Sequence, residues 1–243
     1  MFSILLFFFL ALISEIIGTI GGFGSSVFFV PVAEFFFDFK TVLMLTAIFH
    51  DFSNTSKLIL FRKHIDYKLL LLFGIPSTIF VILGAYLSSY LHYKYNELIL
   101  GIFLILFSSF VFLKPDFRLP ISKFSSIAGG STAGFLAGLI GTGGAIRGMS
   151  LSAFNLEKNI FIATSAAIDF FVDISRTVVY LRNGYYQPSH LLYIPFLLVV
   201  AFTGSWIGKK LLVKISQENF RKIVLALLFL IGITMIVKVL RPV

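Results

Sequence analysis

The chain has 243 residues, of which 58% are hydrophobic and only 13% are charged. A soluble globular domain carries roughly twice that share of charged residues, so the composition excludes an ordinary soluble protein. The net charge is +9, but most basic residues lie in short connectors between apolar runs, which is typical of membrane loops and not of a nucleic-acid surface.

Ten apolar segments follow one another along the chain. In the first half they cover residues 2–18, 26–37, 41–61, 69–91 and 98–113. In the second half they cover residues 124–141, 145–156, 159–181, 189–208 and 223–237. The second segment of each half is too short to cross a hydrocarbon core of about 30 Å. The pattern predicts an all-α polytopic membrane protein in which that segment is a half-helix after a glycine-rich turn.

The two halves correspond at a nearly constant offset. The glycines of the first break recur 120 positions later, as Gly18, Gly21 and Gly24 against Gly138, Gly141 and Gly144. Gly84 falls on Gly204 at the same offset, and Pro76 falls on Pro195 at an offset of 119. This ordered series indicates a duplication, with a first transmembrane repeat at 1–113, a connector at 114–123 and a second repeat at 124–243.

The charges of the connectors predict how the repeats lie in the membrane. Residues 62–68, 114–123 and 209–222 are basic and should face the cytoplasm. The loop after the third segment is then cytoplasmic in the first half and external in the second, which makes the repeats inverted and both termini external. Lys238 and Arg241 are exceptions, because they would lie outside. Inverted repeats with short segments at matching positions are typical of secondary transporters.

The glycine-rich turns favour a small anion as the ligand. Glycine lets the backbone approach a ligand closely, and the first turn of a helix offers free N–H groups and a positive dipole end. The candidate substrate-binding residues here are Thr19, Gly21, Gly22, Gly24, Ser25 and Ser26 in the first turn, and Gly141, Thr142, Gly143, Gly144 and Arg147 in the second.

The third segment of each half carries a polar stripe that lipid should exclude. His50, Asn54 and Lys57 have helical spacing, and Asp169, Asp173 and Arg176 match them at an offset of 119. Intramembrane charges normally face a cavity or one another. We therefore add Asn54, Ser165 and Arg176 to the substrate-binding candidates, and take His50, Asp51, Asp169 and Asp173 as candidates for proton coupling.

Structural pairing is the alternative explanation of these charges. Asp173 would then pair with Arg176, and Asp51 with Lys57, to fix the packing of helices. Lys57 and Arg176 also lie toward helix ends, from which they would snorkel to the interface.

Several motifs resemble the sulfite exporter TauE/SafE family. The run Gly18-Thr-Ile-Gly-Gly-Phe-Gly24, followed by Val30-Pro31, is similar to the first glycine-rich signature of that family, and Gly138-Leu-Ile-Gly-Thr-Gly-Gly144 to its repeat. Residues 163–167 and 179–184 resemble the helix that follows. The resemblance implies a permease of the plasma (inner) membrane for sulfur-containing anions such as sulfite, sulfoacetate or other sulfonates.

The expected function is therefore transport of a small anion by alternating access, with proton coupling left open. A divalent metal-cation permease is the competing transport function, with Asp51, Asp169, Asp173 and His50 as ligands. A non-transporting membrane scaffold or assembly protein is the alternative from another class. No nucleophile–base pair indicates an enzyme, and no cofactor or metal is expected. The expected partners are the anion and the lipid bilayer, with no nucleic acid and a homodimer left open.

Overall fold

The computed structural model describes residues 2–21, 24–61, 64–114, 117, 120, 122–152, 154, 156–211 and 217–240. Over these residues the structure is all-helical and contains no strand.

The helices follow the predicted segments closely. Those of the first half are α1 (Phe2–Gly21), α2 (Ser26–Ala33), α3 (Phe39–Phe61), α4 (Tyr67–Tyr90) and α5 (Tyr93–Leu113). Those of the second half are α6 (Lys123–Ile140), α7 (Gly144–Ser152), α8 (Lys158–Arg182), α9 (Tyr193–Leu211) and α10 (Gln217–Leu240). The predicted starts of the fifth, ninth and tenth segments, at 98, 189 and 223, differ by four to six residues from the helix starts at Tyr93, Tyr193 and Gln217. At the ninth segment the reason is that Pro188–His190 form a separate 3-10 turn.

The two predicted half-helices are short in the structure. The helix α2 has eight residues and α7 has nine, so each rises only about 12–14 Å at 1.5 Å per residue. Neither can cross a hydrocarbon core of about 30 Å by itself. Each of these helices must therefore have at least one end inside the protein. The first residues of both helices follow the glycine-rich turns directly.

Among the residues that the structure describes, four helices are long and apolar enough to cross a membrane by length and composition. They are Ser3–Gly21, Tyr67–Tyr90, Lys94–Leu113 and Tyr193–Leu211. The helices α3 and α8 have sufficient length, at 23 and 25 residues, but their polar stripes lower their hydropathy. Most of these polar side chains are buried against other helices, so the stripes do not have to meet lipid.

The helices α3 and α8 pack against each other at the centre, and the remaining helices surround them in a pattern that recurs. The helix α4 packs on α6 and α8, while the corresponding helix α9 packs on α1 and α3. Gly84 of α4 lies against Phe135 of α6, and Gly204 of α9 lies against Glu15 of α1. Both residues of the second pair are offset by 120 from those of the first. The same close helix crossing is thus built twice.

Candidate functional site

The two glycine-rich turns break the helices in different ways. The helix α6 ends at Ile140 because Gly141 adopts the left-handed region, with φ +79°, which terminates a helix and favours glycine. In the first half the positive φ, +82°, is at Gly24, just before α2 begins. Gly24 and Gly141 are not at corresponding positions of the two halves, so the described residues of the two breaks differ in conformation. Gly22 lies outside the described residues.

The turns meet each other across the two halves of the chain. Ser26 Oγ lies 3.2 Å from Thr142 Oγ1, so the two hydroxyls form a hydrogen bond. A Cβ added to Gly24 would lie 3.8 Å from the Cα of Gly144 and 3.1 Å from Nη2 of Arg147. The structure therefore brings hydroxyls, backbone and a cation from both breaks into one small region.

Arg147 of α7 is held by two residues of α8. Its Nε donates a hydrogen bond to Ser165 Oγ at 2.7 Å, and its Nη1 forms an ion pair with Asp169. All three side chains are buried. A buried arginine needs such a partner, because an uncompensated charge away from water is strongly destabilising.

Asp173 lies one turn further along α8 and has a different set of partners. Its Oδ1 accepts from Arg176 Nη2 at 2.6 Å, which confirms the pair expected under the packing explanation. Its Oδ2 accepts from Asn54 Nδ2 at 2.7 Å and lies 3.9 Å from His50 Nδ1. Asn54 and Asp173 occupy corresponding positions of the two halves, 119 residues apart. The bond between them joins the two polar stripes.

Arg176 also binds the end of α6. Its Nη1 donates to the carbonyl oxygens of Ala137 at 3.1 Å and Gly141 at 2.9 Å, and Tyr180 donates to that of Gly138 at 2.5 Å. The last carbonyls of a helix have no partner within it, so these donors satisfy the break. The expectation that Arg176 snorkels is wrong, because its side chain is only 1% exposed and faces the protein.

Lys57 pairs with a residue that the sequence did not assign to the site. Its Nζ lies 2.9 Å from Glu15 Oε1 of α1 and is buried, so the expected snorkelling is wrong here too. The predicted pair with Asp51 is also wrong, because residues six apart point to different sides of a helix. Asp51 instead accepts a hydrogen bond from Thr177 at 3.1 Å, away from the glycine-rich turns.

Glu15 is the most heavily bonded carboxylate described in the structure. Besides Lys57, it accepts hydrogen bonds of 2.6–3.1 Å from four hydroxyls, those of Thr19, Ser25, Ser53 and Ser205. These donors belong to α1, the first turn, α3 and α9. The hydroxyl of Ser25 also lies 3.1 Å from His50 Nε2. The available sequence signal was the position of Glu15, three residues before Gly18 within an apolar run.

A cavity of about 20 Å3 lies beside this network. The residues on one side of it come from both turns and both stripes, and include Thr19, Gly24, Asn54, Lys57, Arg147 and Asp169. Phe161, Ile162 and Ala166 form its apolar wall. The volume suits about one water molecule. A sulfur oxyanion is larger, so its entry would require side chains or turns to move.

The predicted site residues thus fall into three groups. Those that meet around the turns and the cavity are Thr19, Gly24, Ser25, Ser26, Asn54, Thr142, Gly144, Arg147, Ser165 and Asp169. His50, Asp173 and Arg176 join this region through the bonds between α3 and α8. In the third group, Gly21 ends α1, Gly141 caps the end of α6, the backbone of Gly143 packs against the carbonyl of Ala133, and Asp51 faces Thr177.

The charges of the region are poorly suited to a cation. Asp169 and Asp173 are each paired with an arginine. Within the ranges that the structure describes, no three His, Asp or Glu side chains lie close enough together to hold a metal ion. This arrangement disfavours the divalent-cation alternative, because the same carboxylates would have to serve the metal and both guanidinium groups.

Comparison with known proteins places the chain in a family. The model of the family "Sulfite exporter TauE/SafE" matches residues 6–235, which include both turns and both stripes. A curated relative, the "Probable membrane transporter protein YunE" of Bacillus subtilis (strain 168), is 29% identical over 269 aligned positions. The alignment covers 93% of this chain and 95% of the relative. No solved structure matches the chain. The resemblance noted in the motifs is confirmed, and the chain belongs to the sulfite exporter TauE/SafE family as a multi-pass membrane transporter.

Proposed function

We propose that the protein is a permease for small sulfur-containing anions, sulfite or a sulfonate, and that it works by alternating access. The observation that carries the proposal is the meeting of the two turns beside Arg147, where the Ser26 and Thr142 hydroxyls, helix N-termini and a guanidinium converge. Hydroxyls, free N–H groups and arginine are the groups that bind oxyanions in proteins.

The membrane arrangement proposed with it is a pair of inverted repeats, 1–113 and 124–243, in the plasma membrane. The recurring helix crossings support the repeat, and so does the Asn54–Asp173 bond, since corresponding residues can touch only near the axis that relates the halves. The connector 114–123 would be cytoplasmic and both termini external. Lys238 would then be external, where its ion pair with Glu97, at 3.5 Å, compensates the charge.

The small cavity implies that the turns separate when the anion binds or leaves. In a movement of one repeat against the other, the Ser26–Thr142 contact would open and the region around Arg147 would widen. The carboxylates Asp169 and Asp173 and the imidazole of His50 lie close to this region and are the proposed carriers of a coupled proton.

The test is uptake of labelled sulfite and labelled sulfoacetate into proteoliposomes, with and without a pH gradient. We expect saturable anion flux that falls at least tenfold (about 1.4 kcal/mol) when Arg147→Ala and Thr142→Ala are combined. Arg182→Ala is the matched control, because Arg182 is exposed at the end of α8 and far from the turns in sequence.

Two results would overturn the proposal. One is anion flux that the double variant leaves unchanged. The other is the absence of flux above that of empty liposomes for both anions, in either direction of the gradient. Flux of Mn2+ instead would favour the metal-cation alternative, and no flux of any solute would favour a scaffold.

A further inference from the structure

We propose that Asp169 is an internal counter-ion for Arg147. It pairs with Arg147 when no anion is bound, and the transported anion must displace it. The inference rests on the proposed function, since it takes Arg147 as the anion-binding cation. In it, Asp169 is a positioning residue that sets the affinity of the site and does not itself bind substrate.

The first observation is how Asp169 is held. Its carboxylate forms an ion pair with Nη1 of Arg147, and among the residues that the structure describes this is the one hydrogen-bonding partner it has. Both side chains line the same small cavity, together with Gly24 and Ser165. A carboxylate is the protein's own oxyanion, so it occupies the face of the guanidinium that a sulfur oxyanion would use.

The second observation is the contrast with Asp173 on the next turn of α8. Asp173 is also buried, at 2% exposed against 8% for Asp169, but it is fixed by Arg176 at 2.6 Å and by Asn54 at 2.7 Å. Arg176 in turn is bound to the carbonyls of Ala137 and Gly141, so it cannot leave without exposing them. Releasing Asp173 would break several bonds, whereas releasing Asp169 breaks its bonds to one side chain.

The third observation is the lack of room. The cavity of about 20 Å3, which Asp169 helps to line, has no space for a sulfur oxyanion in this conformation. In the proposal the pairing of Arg147 with Asp169 and its pairing with the anion exclude each other, because the anion needs the side of the guanidinium that the carboxylate occupies. When the anion leaves, the carboxylate can return, so the guanidinium is never buried without a partner. A transporter gains from this exchange because its substrate is bound weakly enough to be released.

The experiment uses the full chain purified in detergent, with sulfite and sulfoacetate as probes. Asp169→Asn removes the competing charge and leaves Arg147 uncompensated. We expect the variant to have a lower unfolding midpoint than wild type without anion, and a larger rise of that midpoint when sulfite is added. Calorimetry should show the Kd for sulfite falling at least about fivefold.

Asp173→Asn is the matched control, because it removes the same charge from the same helix but from the partner of Arg176. It should lose stability without gaining a larger sulfite-induced shift. A purely structural role for Asp169 predicts the same behaviour for both variants. Asp169→Ser is the second variant, and both Asp169 variants are prepared with sulfite present, since the anion should replace the lost carboxylate.

The outcomes separate this inference from the proposed function. If neither wild type nor any variant binds either anion, the proposed function fails. If wild type binds sulfite and Arg147→Ala does not, but the Asp169 variants bind no more tightly than wild type, the counter-ion role is overturned. Failure of both Asp169 variants to fold in saturating sulfite also overturns it, because the anion then does not substitute for the carboxylate.

Discussion

The hydroxyls of Ser26 and Thr142 are 3.2 Å apart, although the two residues are separated by 116 positions and belong to different halves of the chain. Each hydroxyl lies beside a glycine-rich break, at or just before the start of a helix of only eight or nine residues. This contact is therefore where the two short helices come together, and it is the point at which movement of the halves can be tested.

The first prediction concerns that movement. The chain contains no cysteine, so S26C and T142C together introduce a unique pair. Two side chains this close can form a disulfide, which would hold the turns in contact. Oxidation of the double variant should abolish anion flux in proteoliposomes, and reduction should restore it. Each single-cysteine variant should be insensitive to oxidant. Unchanged flux in the oxidised, fully cross-linked protein would rule out separation of the turns.

The second prediction concerns the shape of the cation at position 147. Arg147→Lys keeps the charge but loses the planar fork that reaches Ser165 and Asp169 together. We expect sulfite flux to fall about tenfold or more, since one buried hydrogen bond to a charged group is worth about 1.5–3 kcal/mol. The control is Arg182→Lys at the exposed end of α8, which should keep its flux. Equal flux in Arg147→Lys would mean that charge alone suffices.

The third prediction concerns Glu15. Glu15→Gln removes the charge that compensates Lys57 and disturbs four hydroxyl donors. Breaking a buried ion pair on one side costs about 3–5 kcal/mol, so the free energy of unfolding should fall by an amount of that order. Denaturant unfolding in detergent measures it. Lys57→Met in the same chain should recover part of the loss, whereas the exposed Glu157→Gln should change little.

The fourth prediction separates backbone strain from crowding at the second break. Gly141 has φ +79°, and a Cβ there would lie 2.8 Å from Leu43 Cδ2 and 3.0 Å from Val30 Cγ2. Gly184 has a similar φ of +73°, but nothing lies within 4 Å of an added Cβ. Gly184→Ala should therefore cost about 1–2 kcal/mol from strain alone, and Gly141→Ala should cost more. Equal losses in unfolding measurements would show that the neighbours of Gly141 move aside freely.

Much of the fold could be predicted because its signals are local. Apolar run length predicted every helix, with ends that differ by up to six residues, and the shortness of the segments after Gly24 and Gly144 predicted the half-helices. The offset of 120 matched Gly84 with Gly204, and the structure shows both at close helix crossings, against Phe135 and Glu15. The glycine motifs were enough to recognise the family.

The partners of the charged side chains could not be predicted in the same way. Helical spacing places Asp173 beside Arg176 and so predicts that pair. The same spacing does not indicate which other helix packs against this face. Lys57 therefore turned out to bind Glu15 of α1, and Arg147 to bind Asp169 of α8.

The sequence by itself determined the helices, their breaks and the family, because each depends on the order and spacing of residues along one stretch of chain. Only the tertiary structure decided that the two breaks meet at Ser26 and Thr142, and that Asp169 rather than Asp173 pairs with Arg147. It also decided that Glu15 accepts hydrogen bonds from four hydroxyls and pairs with a lysine. Those choices depend on the rotation and the neighbours of each helix, which long-range packing sets.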